Sequence, residues 1–158
     1  MAVTSFKSNL FLNIQARVVS EMTEIKHVDK DFGQIDYKQQ SADRYPVMLP
    51  CVLIEFGQFQ YAQKQGFQRV KGTVRLKLAT EKWESSSEEI LLATREQAIQ
   101  DFELAHKFYT KFQYWDGGSL LNVLPFYRFS DTVEKRELDG LHVVAIDYVF
   151  EYDDTSAG

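Results

Sequence analysis

The stretch Tyr45-Pro46-Val47-Met48-Leu49-Pro50-Cys51-Val52-Leu53-Ile54-Glu55-Phe56 decides the fold, because two prolines frame a hydrophobic run with the composition of a buried strand. Proline has no amide hydrogen and disfavours helix in the residue before it, so Tyr45 and Leu49 are pushed toward extended geometry. The chain thus reaches Cys51 already extended. From Cys51 to Phe56 the run is nearly all apolar, which suits a strand covered on both faces, and Gly57 follows before a helix of ordinary length can form. Glu55 is the exception in the run and must meet solvent or a basic neighbour.

Upstream, Phe6, Leu10, Phe11, Ile14, Val18, Met22 and Ile25 recur at spacings of three and four with polar residues between them, the pattern of an amphipathic helix. Thr4 or Ser5 is its expected cap. Ile25 to Asp29 reads as a short strand, and the polar tract from Lys30 to Arg44 as a long surface connection with little that could build a core.

Downstream, the glutamine-rich segment between Gly57 and Gly66 suits a hairpin arm or loop. From Arg69 to Thr80, Val70, Val74, Leu76 and Leu78 fall on one face of a strand, with Gly72 in their series, and Lys71, Thr73, Arg75 and Lys77 on the other. Ser85-Ser86-Ser87-Glu88-Glu89 holds two overlapping capping boxes, so a long helix is expected from there, with Leu91, Ala98, Phe102, Ala105, Phe108, Tyr109 and Phe112 on its apolar face and its end before Asp116-Gly117-Gly118. Two further strands are expected, Leu120 to Ser130 and Leu141 to Tyr152, joined by a turn at Glu137 to Gly140. In the last, Val144, Ile146, Tyr148, Phe150 and Tyr152 share one face. The expected architecture is α+β: a single domain over 1–152, a mostly antiparallel β-sheet packed against an N-terminal helix and one long central helix, with a flexible tail at 153–158.

A chain of 158 residues with 44% hydrophobic content suits one domain with a substantial core. Its net charge of -5 argues against a general nucleic-acid binder. Cys51, the sole cysteine, can form neither an internal disulfide nor a thiolate cluster and is expected to be an inert core residue. The N-terminus lacks a cationic segment followed by an apolar signal core, and no run is long enough to span a bilayer, so a cytoplasmic site of synthesis without membrane association is expected.

Catalytic motifs are missing from the chain: there is no glycine-rich phosphate loop, His-Glu-x-x-His helix, Gly-x-Ser-x-Gly elbow or Cys-x-x-Cys pair. His27, His106 and His142 belong to separate elements, and the acid pairs Asp29/Asp31 and Asp153/Asp154 fall where solvated loop or tail explains them. No catalytic, cofactor-binding or metal residue is assigned, and no cofactor is expected. The series Lys71, Arg75 and Lys77 is the more informative feature, since aligned cations repel unless water or acids lie opposite. Asp147 and Glu151 on the last strand are the candidate partners, and these five residues are the candidate lumen or interface set.

The order of parts, with Ile-Lys-His-Val-Asp at 25–29, Phe-Gly-Gln at 32–34 and the two-proline run, resembles the tail terminator, or tail completion, proteins of long-tailed bacteriophages and prophages. The resemblance implies a structural, non-enzymatic subunit assembling into a homo-oligomeric ring, typically a hexamer, that caps the tail tube and joins it to the head. Its implied partners are the tail-tube protein and a head-completion or connector protein, with DNA passing through the ring. The implied location is the virion, after assembly in the host cytoplasm. Two other functions remain open on sequence: another neck or tail component such as a connector or tube subunit, and a cytoplasmic ligand-binding or enzymatic domain with an aromatic pocket from Phe102, Tyr109, Tyr148 and Phe150.

Overall fold

The computed structural model describes residues 4–35, 47–81, 92, 95–96, 99–118, 123–134 and 141–156. The run that follows Pro50 forms β2 (Cys51–Lys64), which continues past Phe56 as one arm of a hairpin turning at Gly66 (φ 83°) into β3 (Phe67–Glu81). With β1 (His27–Lys30), β4 (Tyr127–Glu134) and β5 (Leu141–Asp154) these strands make one sheet in the order β1-β2-β3-β5-β4. β1 pairs with β2 in parallel; the other pairings are antiparallel. The α+β architecture expected from the sequence is the one observed. Tyr45 and Pro46, the expected helix start at Ser85 to Glu89 and the turn at Glu137 to Gly140 lie outside the described residues.

The sheet is covered on both sides at the start of β2, which explains why Cys51 to Ile54 are all buried. Val52 and Ile54 face the main core, filled by α1 (Phe6–Glu21) and α2 (Gln100–Phe112). Cys51 and Leu53 face a smaller cluster with Ile35, Ala79, Leu141 and Val143, against which Val47 and Leu49 pack. Burial pushes the Cys51 thiol up to about 11. Native protein is therefore expected to resist thiol alkylation at pH 8 and to react as soon as denaturant opens the sheet; rapid labelling without denaturant would show the site to be open.

Helix α1 starts at Ser5, whose hydroxyl accepts from the Ser8 amide, and buries Leu10, Ile14 and Val18. Arg17 donates to the Lys111 carbonyl at the end of α2 (2.7 Å), and Asn13 donates to the Gly117 carbonyl (2.8 Å). The two helices are thereby fixed side by side on the sheet. Ion pairs Lys107–Glu24 (2.6 Å) and Lys111–Glu21 (3.1 Å) close the outer side of this contact.

Four expectations need correction. Phe102 is 66% exposed, and the buried face of α2 runs instead through Asp101, Leu104, Phe108 and Phe112, one residue out of phase with the pattern read at its start. The strand expected at 120–130 is β4, shifted to Tyr127–Glu134, because Phe126 is drawn into the core under the end of α2 by paired backbone bonds with Tyr114 and Trp115. Ile35, in the tract read as a surface connection with little that could build a core, is fully buried; the tight turn held by Gly33 N–H to Asp31 (3.1 Å) and Phe32 N–H to Gln34 (2.9 Å) turns it inward. β5 also runs two residues beyond Tyr152, so Asp153 and Asp154 lie in the sheet.

Candidate assembly surface

The face of the sheet away from the helices carries the candidate residues. On β3, Lys71, Arg75 and Lys77 alternate with core positions as expected, and β5 lies directly beside them in register: Lys71 opposite Glu151, Arg75 opposite Asp147, Lys77 opposite Ala145. Arg75 grips Asp147 with two nitrogens (2.8 and 3.2 Å), and the Ser130 hydroxyl of β4 donates to the same carboxylate (2.9 Å). Glu55 of β2 stands on the other side of Arg75, exposed, the basic-neighbour arrangement expected of it. Glu151 lies 3.8 Å from Arg69, which also binds Asp153. Lys71 is exposed and has no ion pair among the described residues.

Lys77 departs from the picture of a solvated cation. It is buried, with its Nζ 3.1 Å from Asp31 and 3.4 Å from Glu134. Burial works against its charge, but the hydrogen bond and charge of Asp31, joined by Glu134, outweigh it and raise the pKa above the ordinary lysine value. Asp31 leaves β1 and Glu134 ends β4, so one ammonium ties the two margins of the sheet together. Neither acid was identified from sequence. In the sequence Asp31 reads as half of a loop pair, and Glu134 lies beyond the strand expected at Leu120 to Ser130.

By register and contact, this face holds five cations, Lys64, Arg69, Lys71, Arg75 and Lys77, among eight carboxylates: Asp29, Asp31, Glu55, Glu81, Glu134, Asp147, Glu151 and Asp153. The cations are therefore largely compensated within the chain, and the face is net acidic. For Asp147, burial pushes the carboxyl up, while the hydrogen bonds from Arg75 and Ser130 prevail and hold it below the usual 3.8. Its contribution to stability is therefore complete above that value and is withdrawn as pH falls through the lower folded value. Denaturant titrations at pH 7 and pH 3 should show wild type losing about 1 kcal/mol more than Asp147→Asn over that interval; equal losses would mean the pair contributes nothing.

A solved structure described as the virion of a native gene transfer agent particle contains a chain with this arrangement of elements. The match covers 94% of this chain and 95% of that one, with a TM-score of 0.50 and 9% sequence identity. The likeness is one of fold. No protein-family model matches the sequence, and no curated protein matches it.

His142 lies 2.8 Å from Asp101 and His27 3.6 Å from Asp29, while His106 is on the exposed side of α2. Among the described residues no three or more His, Cys, Asp or Glu are grouped to hold a metal ion, and no helix is long and apolar enough to cross a membrane. Phe102, Tyr109, Tyr148 and Phe150 do not enclose a pocket. Tyr148 and Phe150 are packed against Phe126 (centroids 6.2 and 5.0 Å), and Phe102 points to solvent.

Proposed function

We propose that this chain is a structural subunit of a phage-like particle, acting as a tail terminator: a ring, with six copies expected, that caps the tail tube and joins it to the head. The observation that carries the proposal is the fold likeness, over nearly the whole length of both chains, to a protein of a gene transfer agent virion. The sequence features at 25–29, 32–34 and 45–56 point the same way.

The charged face supports the assignment on physical grounds. If Lys71, Arg75, Lys77, Asp147 and Glu151 line the opening, the cations are already engaged or outnumbered by acids, and a polyphosphate passing by finds few free cations to neutralise it. DNA would traverse such an opening without sticking. The aromatic side chains of the core pack on one another, as Phe126 does on Tyr148 and Phe150, and not around a ligand-sized space.

Negative-stain microscopy of the purified protein, alone and mixed with tail-tube protein, tests the assignment. Rings, alone or on tube ends, are the expected result. A strictly monomeric protein that also fails to bind tail-tube protein would overturn it.

A further inference from the structure

Among the described residues both margins of the sheet lack a strand partner over several residues, and each is bordered by exposed apolar side chains. On one side β1 stops at Lys30, opposite Ile54, and β2 continues to Lys64 with no described strand beyond it. There α1 and the strand margin form an open groove of about 520 Å³ bordered by Lys7, Phe11, Leu12, Lys30, Ile54 and Phe56. Asp31 and Glu55 also border it, but Asp31 binds Lys77 and Glu55 faces Arg75 on the opposite side of the sheet. On the other side β4 pairs, among the described strands, with β5 alone, and its Phe129 and Val133 are 58% and 53% exposed, with Asp131 between them.

Resting on the ring proposed above, we infer that β4 of one copy adds to the open margin of β2 in a second copy, with Asp131 against Lys7 and Lys30 and Val133 against Leu12. Three observations select this occupant. The first is strand polarity: β2 and β5 run the same way and β4 runs against them, so a neighbour related by rotation presents β4 antiparallel to β2 without the sheet being turned over. The second is sidedness. Asp131 and Val133 are in register with Ile146 and Val144, and Lys30 with Ile54, all on the helix-covered side.

The third is charge. The groove wall carries two lysines, and Asp131 has no ion pair among the described residues. Strand addition also supplies partners to backbone groups that an open margin leaves to water, the usual use of an exposed sheet edge. Because the two margins differ, the contact is heterologous: each copy that gains a neighbour still offers one free margin, and addition continues until the rotation closes.

Charge reversal tests the inference without touching the core, since Leu12, Lys30 and Asp131 are all exposed. Asp131→Lys and the double variant Leu12→Glu/Lys30→Glu should each keep wild-type circular dichroism and self-associate at least about tenfold more weakly by sedimentation velocity. Mixed in equal amounts, they should recover the wild-type assembly, because each supplies the margin that complements the other. Rings that persist in either variant alone would overturn this edge assignment and leave the ring itself standing. A mixture that stays dissociated would also overturn it, and self-association of Leu12→Glu/Lys30→Glu alone would indicate a symmetric β4 to β4 contact. Wild-type protein that neither self-associates nor binds tail-tube protein would sink the ring proposal and this inference together.

Discussion

Lys77→Ala is expected to cost about 3–5 kcal/mol, the penalty for removing one partner of a buried ionic cluster. The loss is not that of an attraction alone. With the ammonium gone, Asp31, whose side chain is only 10% exposed, loses its cation and keeps the Gly33 N–H, and Glu134 stands near it as a like charge. Replacing the cluster by neutral groups should be far milder: Lys77→Met combined with Asp31→Asn is expected to recover most of the loss. Urea denaturation at pH 7 measures both.

The pH dependence of the same group has a defined sign. Its folded pKa is raised, so its contribution is complete below the unfolded value of 10.5 and is withdrawn as pH climbs through the higher folded value. Wild type should therefore lose stability in strong alkali more steeply than Lys77→Met. A cost below about 1 kcal/mol for Lys77→Ala would place the ammonium in solvent and dissolve the idea that it ties β1 to β4.

Phe150→Ala is the second large effect, about 3–5 kcal/mol for emptying a fully packed aromatic position. Phe150 sits at the centre of a ring cluster, with Phe126 at 5.0 Å, Phe59 at 5.7 Å, Phe6 at 5.9 Å and Tyr152 at 6.3 Å between centroids. Those partners come from β2, β5, α1 and the segment before β4, so the cavity would open where separate parts of the chain meet. Gly72 explains how the rings come so close: it lies in register between Phe59 and Phe150, and a Cβ there would stand 2.8 Å from one ring and 3.1 Å from the other. Gly72→Ala should be destabilising by itself and less so in a Phe150→Leu background, where the smaller side chain leaves room. Strictly additive costs would show that the two positions do not compete for the same space.

Elements that satisfy a single local rule were legible in the sequence. The two-proline run, the alternation in β3 and β5 and the Ser5 cap each depend on residues close in sequence; β3, β5 and the cap fall within a few positions of the pattern, and β2 starts at Cys51 as expected but runs on to Lys64 through the segment read as a hairpin arm or loop. The Arg75–Asp147 pair was also within reach, because two polar strand faces of opposite charge invite pairing. Lys77 was not. Its burial follows from where Asp31 and Glu134 return in space, and nothing in the alternation distinguishes it from Arg75 two residues earlier.

The shift of β4 has the same origin. Phe126 belongs to an apolar run that pattern alone extends into a strand, and its backbone is claimed by the end of α2 instead. Ile35 was hidden by its polar surroundings; the signal that could have found it is a lone isoleucine two residues after a glycine with φ 88°.

The position of β5 bears on how the sheet is held together. It is the last element in chain order and yet lies inside the sheet, bonded to β3 over fourteen register positions and to β4 on its other side. Without Leu141 to Asp154, β3 loses the neighbour on one flank and β4 loses the strand it pairs with, because among the described strands these two meet only through β5. A chain cut short before Leu141 lacks the interior of its own sheet. A break in β5 therefore parts β4 from the other described strands instead of trimming a margin of the sheet.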